Sequence, residues 1–171
     1  MEVEVGLKWN DVSVGSEIGR LQKGVISTAH IMRWCAAIEN FHRIHYDLPF
    51  AMEHDRLPGI VVNGSWKQHI LVQLVKDTLG ESGWLWKLSF RYKAMDIAGD
   101  SITAVANLEE KKVINDLGFL LIKVCLINEK SGDTTTAGYA IGVLPVDDSH
   151  VVPYPFEPHP LYDQIQIPKI G

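Results

Sequence analysis

From Trp86 to Ala94 the chain alternates. Trp86, Leu88, Phe90, Tyr92 and Ala94 are apolar or aromatic except at their tips, and Lys87, Ser89, Arg91 and Lys93 stand between them. A period of two is the mark of a half-buried strand over 86–94. Three more apolar stretches follow, over 101–111, 119–128 and 135–144. They are separated by turn signals at Ala98–Gly99–Asp100, Asn115–Asp116–Leu117–Gly118 and Ser131–Gly132–Asp133. Turns at near-regular spacing predict an antiparallel meander. Upstream the period changes. In 60–80, Trp66, Ile70, Leu71, Leu74, Val75 and Leu79 form a broad apolar helical face, with His69, Gln73, Lys76 and Asp77 on the other side. Asn63–Gly64–Ser65 opens this helix and Gly80 closes it.

Before it, LQKGVIS over 21–27 reads as a short strand. Ser27 or Thr28 then caps a helix over 29–38, whose Ile31, Trp34, Cys35 and Ile38 keep the i, i+3, i+4, i+7 spacing. A short helix is expected around Leu48–Glu53. One long apolar helix followed by a meander predicts an α+β fold, the sheet wrapped around the helix. Residues 1–147 are expected to form this domain. The proline-rich 148–171 is expected to be an extended arm, on the surface or across a partner, and not a second domain.

Composition narrows the function classes. The chain has 171 residues, 46% apolar and 22% charged, with a net charge of −5. That suits one soluble domain and argues against nucleic-acid binding, which wants a basic stripe. The longest apolar run, Phe119 to Ile127, is interrupted by Lys123 and is too short to span a bilayer. The N-terminus is acidic and alternating, unlike a signal peptide, so a cytoplasmic location is the default expectation. Cys35 and Cys125 lie in separate apolar segments and read as free buried thiols; without a CxxC pair, a structural zinc site is not expected.

The candidate chemistry sits in NFHRIHYD, residues 40–47. His45 is the side chain suited to moving protons near neutral pH. Asn40, His42 and Asp47 are near enough in sequence to orient its ring or a water. The rival is a metal on His42, His45 and Asp47, but three groups on one short loop rarely complete a site, and no metal is expected. Gly64 is the second candidate, because the first amides of a helix lack internal partners and suit an oxyanion or carbonyl oxygen. A cap by Asn63 or Ser65 is the plainer reading of the same residues, and both can hold. Ser65 lacks the GxSxG setting of a nucleophile. Arg91 and Lys93 read as solvated strand residues, or as contacts for the phosphates of a carrier.

Taken together, the pieces resemble the MaoC-like hydratase/dehydratase family. A loop ending in IH-x-D-x-x-x-A (Ile44 to Ala51), the small-residue helix start Val61–Val62–Asn63–Gly64, and LSFRYKAMDIAGD (88–100) ending in Gly-Asp occur in the family's order over about residues 25–145. The branch resembled is that of 3-hydroxyacyl-thioester dehydratases. The resemblance implies a single hotdog fold, an acyl-CoA substrate with no separate cofactor, and a homodimer or a heteromer with another hotdog subunit. It implies that His45 is the acid/base, that the Gly64 amide binds the thioester oxygen, and that Asn40 stands where the family has Asp. The family's His before the glycine is Asn63 here. His42, Asn63, Ser65, Arg91 and Lys93 are then the candidate substrate contacts.

Asn40 leaves three accounts open, since an amide cannot take a proton from water at neutral pH. His45 works alone with Asn40 orienting water; or Glu39 or His42 supplies the basicity; or the subunit is inactive and supports a partner. The expected activity is hydration of a 2-enoyl-CoA, or the reverse dehydration. The alternatives are a non-catalytic hotdog subunit and a thioesterase using Asp77 or Gln73 of the long helix.

Overall fold

The computed structural model describes residues 6–170. Strand β1 (Glu17–Val25) leads into helix α1 (Thr28–Ala37), a loop region, and the long helix α2 (Gly64–Leu79). Strands β2 (Trp84–Tyr92), β3 (Ser101–Ile114), β4 (Leu117–Asn128) and β5 (Thr134–Pro145) follow. All pairings are antiparallel, in one five-stranded sheet of order β1-β3-β4-β5-β2. The sheet's inner face packs around α2, which is the hotdog arrangement. Among the described residues no helix is long and apolar enough to cross a membrane.

Local signals explain most boundaries. Ser27 caps α1: its hydroxyl accepts from His30 N–H at 3.2 Å, and His30 Nδ1 accepts from Ser27 N–H at 3.2 Å. Ser27→Ala removes one of these bonds and is expected to cost about 1 kcal/mol, seen as a fall of about 2–4 °C in Tm for a domain of this size. Gly80 ends α2 at a positive φ of 71°. Asn115 and Asp116 both have positive φ, 49° and 60°, so β3 and β4 join through the tight turn whose twist matches a hairpin.

Three expectations change. The β2 alternation breaks at a bulge between Leu85 and Lys87. Leu88 and Phe90 face the inner core, but Trp86 lands on the outer face against Phe119, Phe156 and Tyr162. A bulge adds one residue to a strand and re-aims its side chains. The first strand runs over 17–25 rather than 21–27, because Ile26 leaves the ladder to bond Asp100 O. The helix placed at Leu48–Glu53 is a single wide turn, Phe50–His54.

Strand β4 is apolar on both faces because both are covered. Leu120, Ile122, Val124 and Leu126 join the core around α2, while Phe119 and Leu121 pack outward. There they meet Tyr162 and Ile165 of the C-terminal segment, with Phe119 and Tyr162 rings 4.8 Å apart. The 148–171 segment, as far as it is described, therefore lies across the outer face of its own sheet. Cys35 is buried and Cys125 half-buried, both as free thiols, and burial pushes the Cys125 thiol pKa up.

Candidate active site

The site is assembled where the loop after α1 meets the segment leading into α2. Glu39 takes a left-handed conformation (φ 55°), and Asn40 N–H then bonds back to Cys35 O at 3.0 Å. Asn40 Oδ1 accepts from His42 N–H at 3.3 Å, an Asx-type turn that leaves its Nδ2 as the free end. A short 3₁₀ turn, Arg43–His45, follows. Arg43 pairs with Asp47 at 2.7 Å, and its guanidinium covers the Phe50 ring at 4.1 Å. Asp47 also accepts from Phe50 N–H at 3.0 Å; that bond and the Arg43 pairing hold its carboxyl below the usual carboxylate range. Asp47 is thus occupied in holding the loop.

His45 faces inward and is 7% exposed. Its Nδ1 lies 2.7 Å from Val61 O, and Val61 N–H bonds Ile44 O at 3.0 Å. A carbonyl only accepts, so Nδ1 carries a proton and donates it to Val61 O, which leaves Nε2 as the nitrogen free to exchange a proton with a bound molecule. Among the described residues Nε2 has no hydrogen-bond partner, and the only side-chain polar atom both sealed and unpartnered is Thr136 Oγ1. Nε2 therefore reaches accessible space. The geometry is that of an oriented imidazole whose second nitrogen faces open space. The His42 ring is exposed, 6.3 Å from that of His45.

Two residues beyond Val61 the long helix begins. Asn63 has an extended ψ and makes no side-chain cap; among the described residues its amide bonds only to Cys35 sulfur, at 3.4–3.5 Å. Ser65 Oγ accepts from the Trp34 indole N–H at 3.0 Å. With both candidate caps engaged elsewhere, Gly64 N–H and Ser65 N–H find no acceptor among the described residues. A side chain at Gly64 would meet the Tyr92 ring at 3.0 Å, so any larger residue there requires that ring to shift. The free amides lie at the positive end of a sixteen-residue helix, where partial negative charge is favoured.

The structure thus sets the His45 ring on Val61, three residues before Gly64, with the His42 ring beside it, while Asn63 turns to Cys35 and Ser65 to Trp34 of α1. Arg91 and Lys93 are exposed on β2 and the turn after it, and Lys93 lines an outer-face cleft with Lys123, Tyr139 and Lys169, so it is not brought to Gly64. Gln73 is bound to Lys23 Nζ at 3.1 Å and Asp77 is exposed, so neither faces the α2 start. Among the described residues no three His, Cys, Asp or Glu side chains cluster in metal-binding geometry.

Lys67 is the residue that sequence reading missed. It is buried, and its Nζ pairs with Asp96 Oδ2 at 2.7 Å, with side chains only 3% and 0% exposed. Lys67 also donates to Ala94 O (2.8 Å) and Thr135 O (3.2 Å). Asp96 accepts from Asn128 Nδ2 (3.1 Å) and Thr135 Oγ1 (2.7 Å), and its backbone carbonyl takes Val62 N–H at 2.8 Å. An isolated bridge joins Val61 to Ile97. The ion pair therefore anchors the strip of backbone that holds the His45 ring. The available signal was position: Lys67 falls one turn before Ile70 and Leu71 and two turns before Leu74 on the buried face.

The family model described as hydroxyacyl-thioester dehydratase type 2 matches residues 16–100. No curated protein sequence matches the chain. Among solved structures, an (R)-hydratase from A. caviae involved in PHA biosynthesis is 22% identical, with TM-score 0.66, covering 78% of this chain and 98% of that one. The MaoC-like dehydratase from Rhodospirillum rubrum is 15% identical, with TM-score 0.69 and coverages of 81% and 97%. The ChsH1–ChsH2 complex from Mycobacterium tuberculosis is matched at 18% identity, with TM-score 0.65 and coverages of 78% and 98%. At these identities the likeness establishes the hotdog fold.

Proposed function

For a chain that resembles the MaoC-like hydratases and dehydratases in fold and over the matched residues 16–100, we propose reversible hydration of a 2-enoyl thioester, with CoA as the carrier. The observation that carries the reading is His45. Its ring is held through Nδ1 on Val61 O, with Nε2 open, beside a helix start whose first amides are free. The thioester oxygen accepts from Gly64 N–H. His45 Nε2 takes one proton from water as the water oxygen bonds to C3, and the π electrons move toward the thioester oxygen. The amide stabilises that enolate-like charge. The imidazolium then returns the proton to C2, so one water is added across C2=C3 and His45 ends neutral. Dehydration runs the same steps backward.

Asn40 orients the water through its amide and transfers no proton. Asn40→Ala is expected to lower kcat about fivefold, as for one hydrogen bond of about 1 kcal/mol. A loss as deep as that from removing the His45 imidazole would place essential chemistry on the amide instead. The reaction itself is tested with a panel of 2-enoyl-CoA esters, read as decay of the conjugated-thioester absorbance. Silence of the pure chain across short, long and bulky acyl groups would defeat the reading for the chain alone.

A second reading has its own support. Among the described residues no carboxylate bonds to His45, and β2 lies at an edge of the sheet with one side of its ladder unpaired. A heteromer in which another hotdog chain supplies the carboxylate fits both observations. Co-purification from the native source decides it: an active homodimer goes against it, and a stable inactive chain that gains activity with a partner supports it.

A further inference from the structure

Resting on the hydratase reading above, we propose that the Tyr92 hydroxyl is a second hydrogen-bond donor to the thioester carbonyl, acting with the Gly64 amide. Tyr92 is the last residue of β2, where the sheet edge passes the start of α2. Its Cζ and hydroxyl oxygen lie 3.0 and 3.1 Å from the point where a Gly64 Cβ would stand. The half-exposed ring therefore lies against the first residue of α2, beside its free amides. Among the described residues the hydroxyl has no hydrogen-bond partner, so it is uncommitted as a donor, although the ring itself is held. Phe90 meets the ring edge-on at 5.3 Å, and the Lys67 ammonium lies 5.8 Å from its centroid.

The register fixes which way the ring faces. Tyr92 pairs with Thr136 of β5, and paired residues project to the same side of a sheet. Thr136 is fully buried, and Phe90, two residues before Tyr92, packs against the core around α2. Tyr92 therefore projects from the inner side of the sheet, the side that meets the helix start. Burial also pushes the Tyr92 pKa above that of a free phenol, so it remains a donor at neutral pH.

The role differs from that of His45. The tyrosine holds negative charge on oxygen and moves no proton to carbon, so its worth appears as the carbonyl gains charge. Its absence from the sequence reading is understandable. The alternation placed Tyr92 on a buried face with Phe90, but said nothing of which helix end that face meets.

The test is Tyr92→Phe, which removes one oxygen and keeps the ring against Gly64. The variant is expected to lose about 10²-fold in kcat, as for one lost oxyanion donor, with KM little changed. An independent readout is the infrared carbonyl stretch of butyryl-CoA labelled with ¹³C at the thioester carbon, a saturated probe that cannot be hydrated. In the wild type the bound band is expected at lower frequency than in solution, and part of that shift is expected to vanish in Tyr92→Phe. Equal turnover and an equal band in the two proteins overturn the proposal. A silent wild type that still shows a tyrosine-dependent shift defeats hydration but supports the donor. No binding of the probe by the wild type overturns the donor as well.

Discussion

His45→Gln should lower hydration turnover by about 10²- to 10⁴-fold, the usual worth of a positioned general acid/base. Glutamine is the sharper choice than alanine. Its amide can still donate to Val61 O, the partner of His45 Nδ1 at 2.7 Å, and its bulk fills most of a site that is 7% exposed. What it lacks is a nitrogen that can gain and return a proton at neutral pH. The loss should therefore fall on kcat, with the far-UV dichroism and Tm near those of the parent. The assay is the decay of enoyl-thioester absorbance under saturating substrate. Turnover within a factor of two of wild type would remove His45 from the chemistry and leave His42 or Glu39 as the groups to examine.

The largest stability effect is expected at Asp96. Asp96→Ala leaves the Lys67 ammonium, 3% exposed, facing only the carbonyls of Ala94 and Thr135. It also strips Asn128 Nδ2 and Thr135 Oγ1 of their acceptor. Breaking a buried pair from one side costs about 3–5 kcal/mol, because the remaining charge stays desolvated. Urea unfolding followed by tryptophan fluorescence should show the midpoint falling accordingly with little change in slope. The double variant Lys67→Met with Asp96→Leu should recover much of the loss, since a buried pair can often be replaced by apolar side chains without penalty. A single-variant cost below about 1 kcal/mol, the range of a solvated surface pair, would refute the buried pair. Because Asp96 O also holds Val62 N–H, the double variant separates the two uses: the charges concern stability, and the backbone bond concerns the seat of His45.

The oriented imidazole bears on the question raised by Asn40. In a histidine paired with a carboxylate, the partner both fixes the tautomer and favours the charged ring. Here the Val61 carbonyl does the first task alone. Among the described residues no carboxylate bonds to the ring. On the proposed reading, the charge that develops on the thioester oxygen is then met at the start of α2.

Much of the architecture was readable from the chain before any coordinates. The period-two and helical-period stretches, the Asn115–Asp116 turn, the Ser27 cap and the Gly80 stop are encoded within a few residues of where they act. Their physics is local: backbone dihedral preference, side-chain spacing and hydrogen bonds over three or four residues. The loop around His45 and the glycine of α2 were legible too, through order and residue type. Where reading failed, the cause lay across the fold. The bulge after Leu85 sent Trp86 outward because the C-terminal segment offers it Phe156 and Tyr162. Lys67 could sit on an apolar helical face because Asp96, distant in sequence, waits there already bonded to Asn128 and Thr135. Neither the direction of Tyr92 nor the proton on His45 Nδ1 is set by neighbours in the chain; both depend on what the folded backbone places opposite them. The sequence by itself determined the long helix and the meander of strands, and which residue types are available for acid/base chemistry. The tertiary structure alone decided which polar groups are buried, what they pair with and which are left free, because burial and pairing energies arise between segments that only folding brings into contact.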